Sequence, residues 1–131
     1  MRMVGWALGA YPCEKRDHYR TPRHVYAALD AEFRFDLDPC PLSEAPLLDG
    51  LSESWAGRRV FCNPPYSDIR PWLARAREAA VAVYLVPAKT DTIWWHDHAL
   101  KADEIRFIKG RLVFPPSTDR APFPSAVLIY R

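Results

Sequence analysis

The apolar run Val60-Phe61-Cys62 ends abruptly in Asn63-Pro64-Pro65-Tyr66-Ser67. Neither proline has an N–H to give to a sheet ladder, so a strand reaching this point must stop at Asn63. Each proline also holds the residue before it in an extended conformation. The turn is therefore stiff, and it carries two acceptors, the Asn63 side-chain oxygen and the Pro64 carbonyl. Two acceptors beside the flat ring of Tyr66 suit an amino group on a planar heterocycle. The N6 amine of adenine is such a group, and it is a poor nucleophile because its lone pair is delocalised into the ring. Accepting hydrogen bonds from both of its protons pushes the nitrogen toward a tetrahedral, reactive state without a general base. Tyr66 then stacks on the base, a contact worth about 1–3 kcal/mol, and a base inside a duplex has first to be flipped out. Read blandly, the same residues are a proline-rich loop after a strand.

Other residues offer chemistry of their own. Thr21-Pro22 opens a stretch in which Val25, Leu29 and Phe33 recur at helical spacing, so Thr21 reads as an N-cap and Pro22 as the first helical residue. A helix N-terminus with free N–H groups suits a carboxylate. Residues 33–38 alternate apolar and polar and are predicted as a strand with Asp38-Pro39 at its C-terminal end, where open α/β sheets bind ligands. Asp36 shares a face with Asp38 and is a rival acid. Asp49-Gly50 reads as a turn or as a ligand contact. Lys15, Arg16, Arg20 and Arg23, interleaved with aromatic residues, and Lys89 read as phosphate contacts or as solvated charges. His96-Asp97-His98 lies in a predicted helix, where its imidazoles diverge by about 200°, so no metal site is expected there. Cys13, Cys40 and Cys62 lack paired ligand spacing and read as reduced thiols.

These residues need a scaffold. At 131 residues the chain is expected to be a single domain, with residues 1–13 as an arm or dimer contact. Residues 81–86 form an apolar, β-branched run typical of a strand buried on both faces. Residues 69–80 are predicted as a helix opened by Pro71. Residues 105–108 and 111–114 are predicted as a hairpin turning at Lys109-Gly110, residues 115–124 as a rigid loop, and residues 125–130 as a final strand. Only residues 39–57 separate Asp38 from the strand ahead of Asn63. That is room for one crossover, not two, so the sheet is expected to be trimmed on that side. A net charge of +2 confines any nucleic-acid surface to a local patch. The chain shows no membrane-length apolar run and no signal-peptide pattern, which places it in the cytoplasm.

Asp17-His18-Tyr19-Arg20-Thr21-Pro22, Phe35-Asp36-Leu37-Asp38-Pro39-Cys40, Asp49-Gly50-Leu51, Trp55 and Asn63-Pro64-Pro65-Tyr66-Ser67 follow one another in order. After them come Pro71-Trp72, Val86-Pro87-Ala88-Lys89-Thr90-Asp91-Thr92 and Lys109-Gly110-Arg111-Leu112-Val113-Phe114. Together they resemble the phage-type Dam family of DNA N6-adenine methyltransferases. The resemblance implies an α/β domain with a reduced Rossmann-like S-adenosylmethionine-dependent methyltransferase fold and a mixed sheet. It implies methyl transfer from S-adenosylmethionine to adenine N6 in DNA, in a bacterial or phage-infected cell. By the same resemblance Asn63, Pro64, Pro65 and Tyr66 are catalytic, and Thr21, Pro22, Asp38, Pro39 and Asp49 hold the cofactor. Tyr66, Ser67, Lys89 and Phe114 face the DNA, with Phe123 second to Phe114. The chain departs from the family pattern after Asp38, where Pro41, Leu42 and Ser43 replace the usual glycine-rich turn. Two alternatives stand beside this reading: an amino-methyltransferase for cytosine N4 or protein glutamine, and a non-catalytic DNA- or partner-binding relic. No recognition domain is visible, so a homodimer is expected to enlarge the DNA contact.

Overall fold

The computed structural model describes residues 20–40 and 50–131. The expectations for residues 1–13, Lys15, Arg16 and Asp49 lie outside the described residues.

The centre of the sheet is β2 (Val81–Pro87), buried at every position. With no polar face, the strand needs cover on both sides. It pairs in parallel with β1 (Arg59–Cys62) and antiparallel with β4 (Ser125–Tyr130). β4 pairs antiparallel with β3 (Glu104–Phe107), giving a mixed four-stranded sheet of order β1-β2-β4-β3. Helix α1 (Arg23–Phe33) lays Leu29 and Phe33 over one face, against Phe61, Val83, Leu85, Val127 and Ile129. The other face lies under α2 (Arg70–Leu73) and α3 (Ile93–Asp97), whose Trp72, Leu73 and Trp95 cluster with Cys62, Tyr84, Val86 and Leu128. Each such side chain contributes about 1.5–3 kcal/mol on burial. Among the described residues no helix is long and apolar enough to cross a membrane.

Four local expectations are corrected. Residues 33–38 do not form a strand: α1 runs to Phe33, Arg34 caps it with a positive φ of 56°, and only Leu37 bridges to Val60. Between the left-handed cap and Pro39 there is room for one bridge. The predicted helix over 69–80 divides into α2 and a 3₁₀ turn at Ala76–Glu78, although Ile69, Trp72, Leu73 and Ala76 are buried as its apolar face required. The predicted hairpin does not form either. β3 pairs with β4, the chain turns at Gly110 with φ 76°, and Val113 bridges Arg120 instead. Leu112 and Phe114 find their apolar cover in the cluster under α1, so that segment leaves the sheet. Finally, α1 begins one residue late, with Pro22 in the capping position and no side-chain cap.

Candidate functional site

The C-terminal ends of β1 and β2, the N-terminal end of β4 and the start of α1 converge on one edge of the sheet. There Asn63, 9% exposed, follows the last residue of β1. Its Nδ2 donates to Thr21 Oγ1 at 3.2 Å. Thr21, read from the sequence as a helix cap, thus uses its side chain on the Asn63 amide. The next residue, Pro22, accepts at its carbonyl from the Val25 and Tyr26 N–H groups, both at 3.1 Å. The start of α1 is fixed to the end of β1 in this way. The contact directs the donor end of the amide at Thr21 and makes Oδ1 its acceptor end.

Pro64 is buried, and the Pro65 carbonyl accepts from Asp68 N at 3.2 Å, closing a tight turn with Tyr66 and Ser67 at its corners. The Tyr66 hydroxyl donates to the Leu85 carbonyl of β2 at 3.3 Å. Its ring meets Phe123 at 5.6 Å and 76° and Phe114 at 6.3 Å and 89°, with the two phenylalanines 5.9 Å apart. Edge-to-face pairs of this kind contribute about 0.5–1.5 kcal/mol each beyond burial. Phe114 is 1% exposed, so it braces the Tyr66 ring and presents no face of its own, whereas Phe123 is half-buried. Ser67 and Lys89 are both exposed, Lys89 in the loop that follows β2.

Asp38 lies just beyond the Leu37 bridge to β1. Its carboxylate accepts from Cys40 N at 3.2 Å and makes no ion pair among the described residues. Burial pushes its pKa up to about 6, with the Cys40 N–H opposing. A sheltered carboxylate of this kind fits an ammonium group, whose charge would restore the ionised form. Asp36, the rival acid, faces other duties: its Oδ1 accepts from Arg59 N at 2.9 Å and Arg58 Nε at 3.2 Å. The Arg59 N–H and then Arg58 hold it below the usual carboxylate range.

Beside Asp38, the backbone of Gly50 rests against Pro39, so closely that a Cβ there would stand 1.7 Å from the Pro39 carbonyl oxygen. This one glycine provides a close approach of two loops although the glycine-rich turn is missing. Trp55, fully buried, donates from Nε1 to the Gly50 carbonyl at 3.1 Å. The Arg75 guanidinium lies 5.0 Å over the Trp55 ring and donates to the carbonyls of Leu51 and, at 2.7 Å, Glu53. Neither Arg75 nor the Thr21–Asn63 contact carried a signal in the sequence; the partners lie 24 and 42 residues apart. Cys62 is buried and Cys40 half-buried, both as thiols. His96 Nε2 is 2.9 Å from the Thr90 carbonyl, and among the described residues no group of three potential ligands gathers around a metal position.

A family model described as DNA N-6-adenine-methyltransferase (Dam) matches residues 9–126. A DNA N-6-adenine-methyltransferase of Haemophilus phage HP1 (strain HP1c1) is 30% identical over 108 residues, which cover 71% of this chain and 62% of the phage protein. The chain therefore spans less than two thirds of the length of that curated relative. No solved structure matches it.

Proposed function

Because the chain belongs to the phage-type DNA N-6-adenine-methyltransferase (Dam) family, we propose that it transfers a methyl group from S-adenosylmethionine to the N6 amine of adenine in DNA. A reduced Rossmann-like methyltransferase sheet would carry the site. The observation behind this reading is the Asn63 amide, held by Thr21 at the end of β1 in the same loop as Tyr66. In the proposed reaction Asn63 Oδ1 and the Pro64 carbonyl accept the two protons of the amine, and Pro65 keeps the turn stiff. Tyr66 stacks on the flipped base, supported by Phe114 and Phe123, while Ser67 and Lys89 lie toward the DNA.

Asp38 would take the ammonium of the cofactor, with Thr21, Pro22 and Pro39 beside it and Asp49 at its adenine. What fits this group is the donor set, a sheltered carboxylate at about 6 next to the Gly50 approach. When bound, the sulfonium supplies a methyl group already activated for transfer, so the protein contributes positioning and hydrogen bonding.

The test is labelled-methyl transfer from S-adenosylmethionine to unmethylated duplex DNA, RNA and a glutamine-containing peptide. Label in DNA adenine is the expected result. Label in cytosine or peptide would assign another acceptor. No label in any substrate, with no heat on titration with S-adenosylmethionine, would leave a non-catalytic relic.

A further inference from the structure

Away from Asn63 and along β3 several arginines are occupied by acids: Arg58 by Asp36 at 3.2 Å, Arg77 by Asp103 at 2.8 Å, and Arg131 by Glu104 at 3.0 Å. Arg106 is held by Glu32 at 2.7 Å and by Glu104 at 2.6 Å. At the Asn63 end, Lys109, Arg111 and Arg120 are exposed and make no ion pair among the described residues. Three unpaired cations thus stand together at the end where the candidate site lies.

These three cations belong to a built element. Leu112, Phe114 and Ala121 are 7%, 1% and 5% exposed and root the segment 109–121 in the core. The Ala121 N–H donates to the Leu112 carbonyl at 2.8 Å, and Val113 faces Arg120 across an antiparallel bridge. Alternation along an extended chain then puts Arg111, Val113 and Arg120 on the face opposite Leu112 and Phe114. The outcome is a flap whose outer face carries two arginines around an exposed valine, with Lys109 at its root. Its tip is closed by Ser117 N donating to the Phe114 carbonyl at 2.9 Å and Asp119 N donating to Ser117 Oγ at 3.1 Å. Asp119 is the single acid of the segment. Arg20 N donates to the Pro115 carbonyl at 3.1 Å, and the neighbouring Thr21 holds Asn63. Whatever the flap grips is therefore held close to the acceptor turn.

Resting on the proposed action on DNA, we infer that the flap is the duplex-gripping element of this protein, with Lys109, Arg111 and Arg120 contacting the phosphate backbone beside the base to be modified. Duplex DNA is a dense line of anions, and each phosphate neutralised releases condensed counterions. Such contacts fix position and register and carry no sequence information themselves.

The experiment measures binding of a fluorescent duplex by anisotropy over a series of salt concentrations, with methyl transfer assayed separately. The wild type is compared with Arg111→Gln/Arg120→Gln, Arg111→Lys/Arg120→Lys and Lys101→Gln, the last an exposed cation at the opposite end of the sheet. The Gln double variant should flatten the slope of log affinity against log salt by about one unit per cation removed, while the Lys double variant and Lys101→Gln keep the wild-type slope. An unchanged slope in the Gln double variant, or no duplex binding by the wild type, overturns the inference. A flap-dependent slope without methyl transfer to any acceptor upholds it and removes the proposed activity instead.

Discussion

Asp38 stands under two opposing demands. Burial makes its charge costly and raises its titration to about 6, while an ammonium ligand needs that charge. Affinity for S-adenosylmethionine should therefore rise with pH through about 6 and level off above it, and Asp38→Asn should bind weakly with no such rise; calorimetric titration over this range checks it. The linkage to stability has the opposite direction. Between about 3.9 in the unfolded chain and about 6 in the folded one, the folded state holds the extra proton. The free protein then loses stability as pH rises across that window and is level above it. Asp38→Asn lacks this loss, so thermal denaturation should show the variant more stable than the wild type above pH 6 and equal to it near pH 4. The sequence marked Asp38 as an acid before Pro39, but put it at the end of a strand over residues 33–38 that does not form; it lies beside β1 through the single Leu37 bridge. The duties of Asp36 were not legible, because they depend on Arg58 and Arg59, which reach it only when β1 lies alongside.

Between elements, the two contacts that matter most join segments distant in sequence. Thr21 ties the start of α1 to the end of β1 through Asn63. Thr21→Val keeps the shape and removes the oxygen, so methyl transfer should fall by about tenfold to a hundredfold, the scale of a small misplacement of a reacting group, with far-UV circular dichroism unchanged. Arg75 joins the chain after α2 to the turn at Leu51 and Glu53, and its side chain is 18% exposed. Arg75→Met strands both carbonyls and should cost about 1–3 kcal/mol, read by denaturant melting, together with a raised KM for the cofactor and a kcat little changed. Strands β1, β2 and β4 could be read from the chain because an unbroken apolar run bounded by prolines has one comfortable place, the middle of a covered sheet. The hairpin over 105–114 was misread because local turn chemistry at Lys109-Gly110 was outweighed by the distant pairing of β3 with β4, which no local pattern announces.

For the molecule as a whole, ion pairs gather along β3 and the end of the sheet away from Asn63. Glu104 is drawn down to about 2, first by its hydrogen bond with Arg106 and then by Arg131, and Glu32 and Asp103 are lowered by Arg106 and Arg77. Depressed acids stabilise above their unfolded values and lose that contribution as pH falls from about 4.5 toward about 2, so acid unfolding should be less steep in Glu104→Gln than in the wild type. The candidate site sits at the other end, beside Lys109, Arg111 and Arg120, which make no ion pair among the described residues. The central claim, that the Asn63 turn delivers methyl groups to adenine N6, is tested most directly by nucleoside mass spectrometry of unmethylated duplex DNA incubated with S-adenosylmethionine and either the wild type or Asn63→Ala. The account predicts N6-methyladenine with the wild type and a rate lower by about 10²–10³ in the folded variant, the usual scale for losing one aimed hydrogen-bonding group. Equal rates for the two proteins, or methyl groups found only on other atoms, would contradict it.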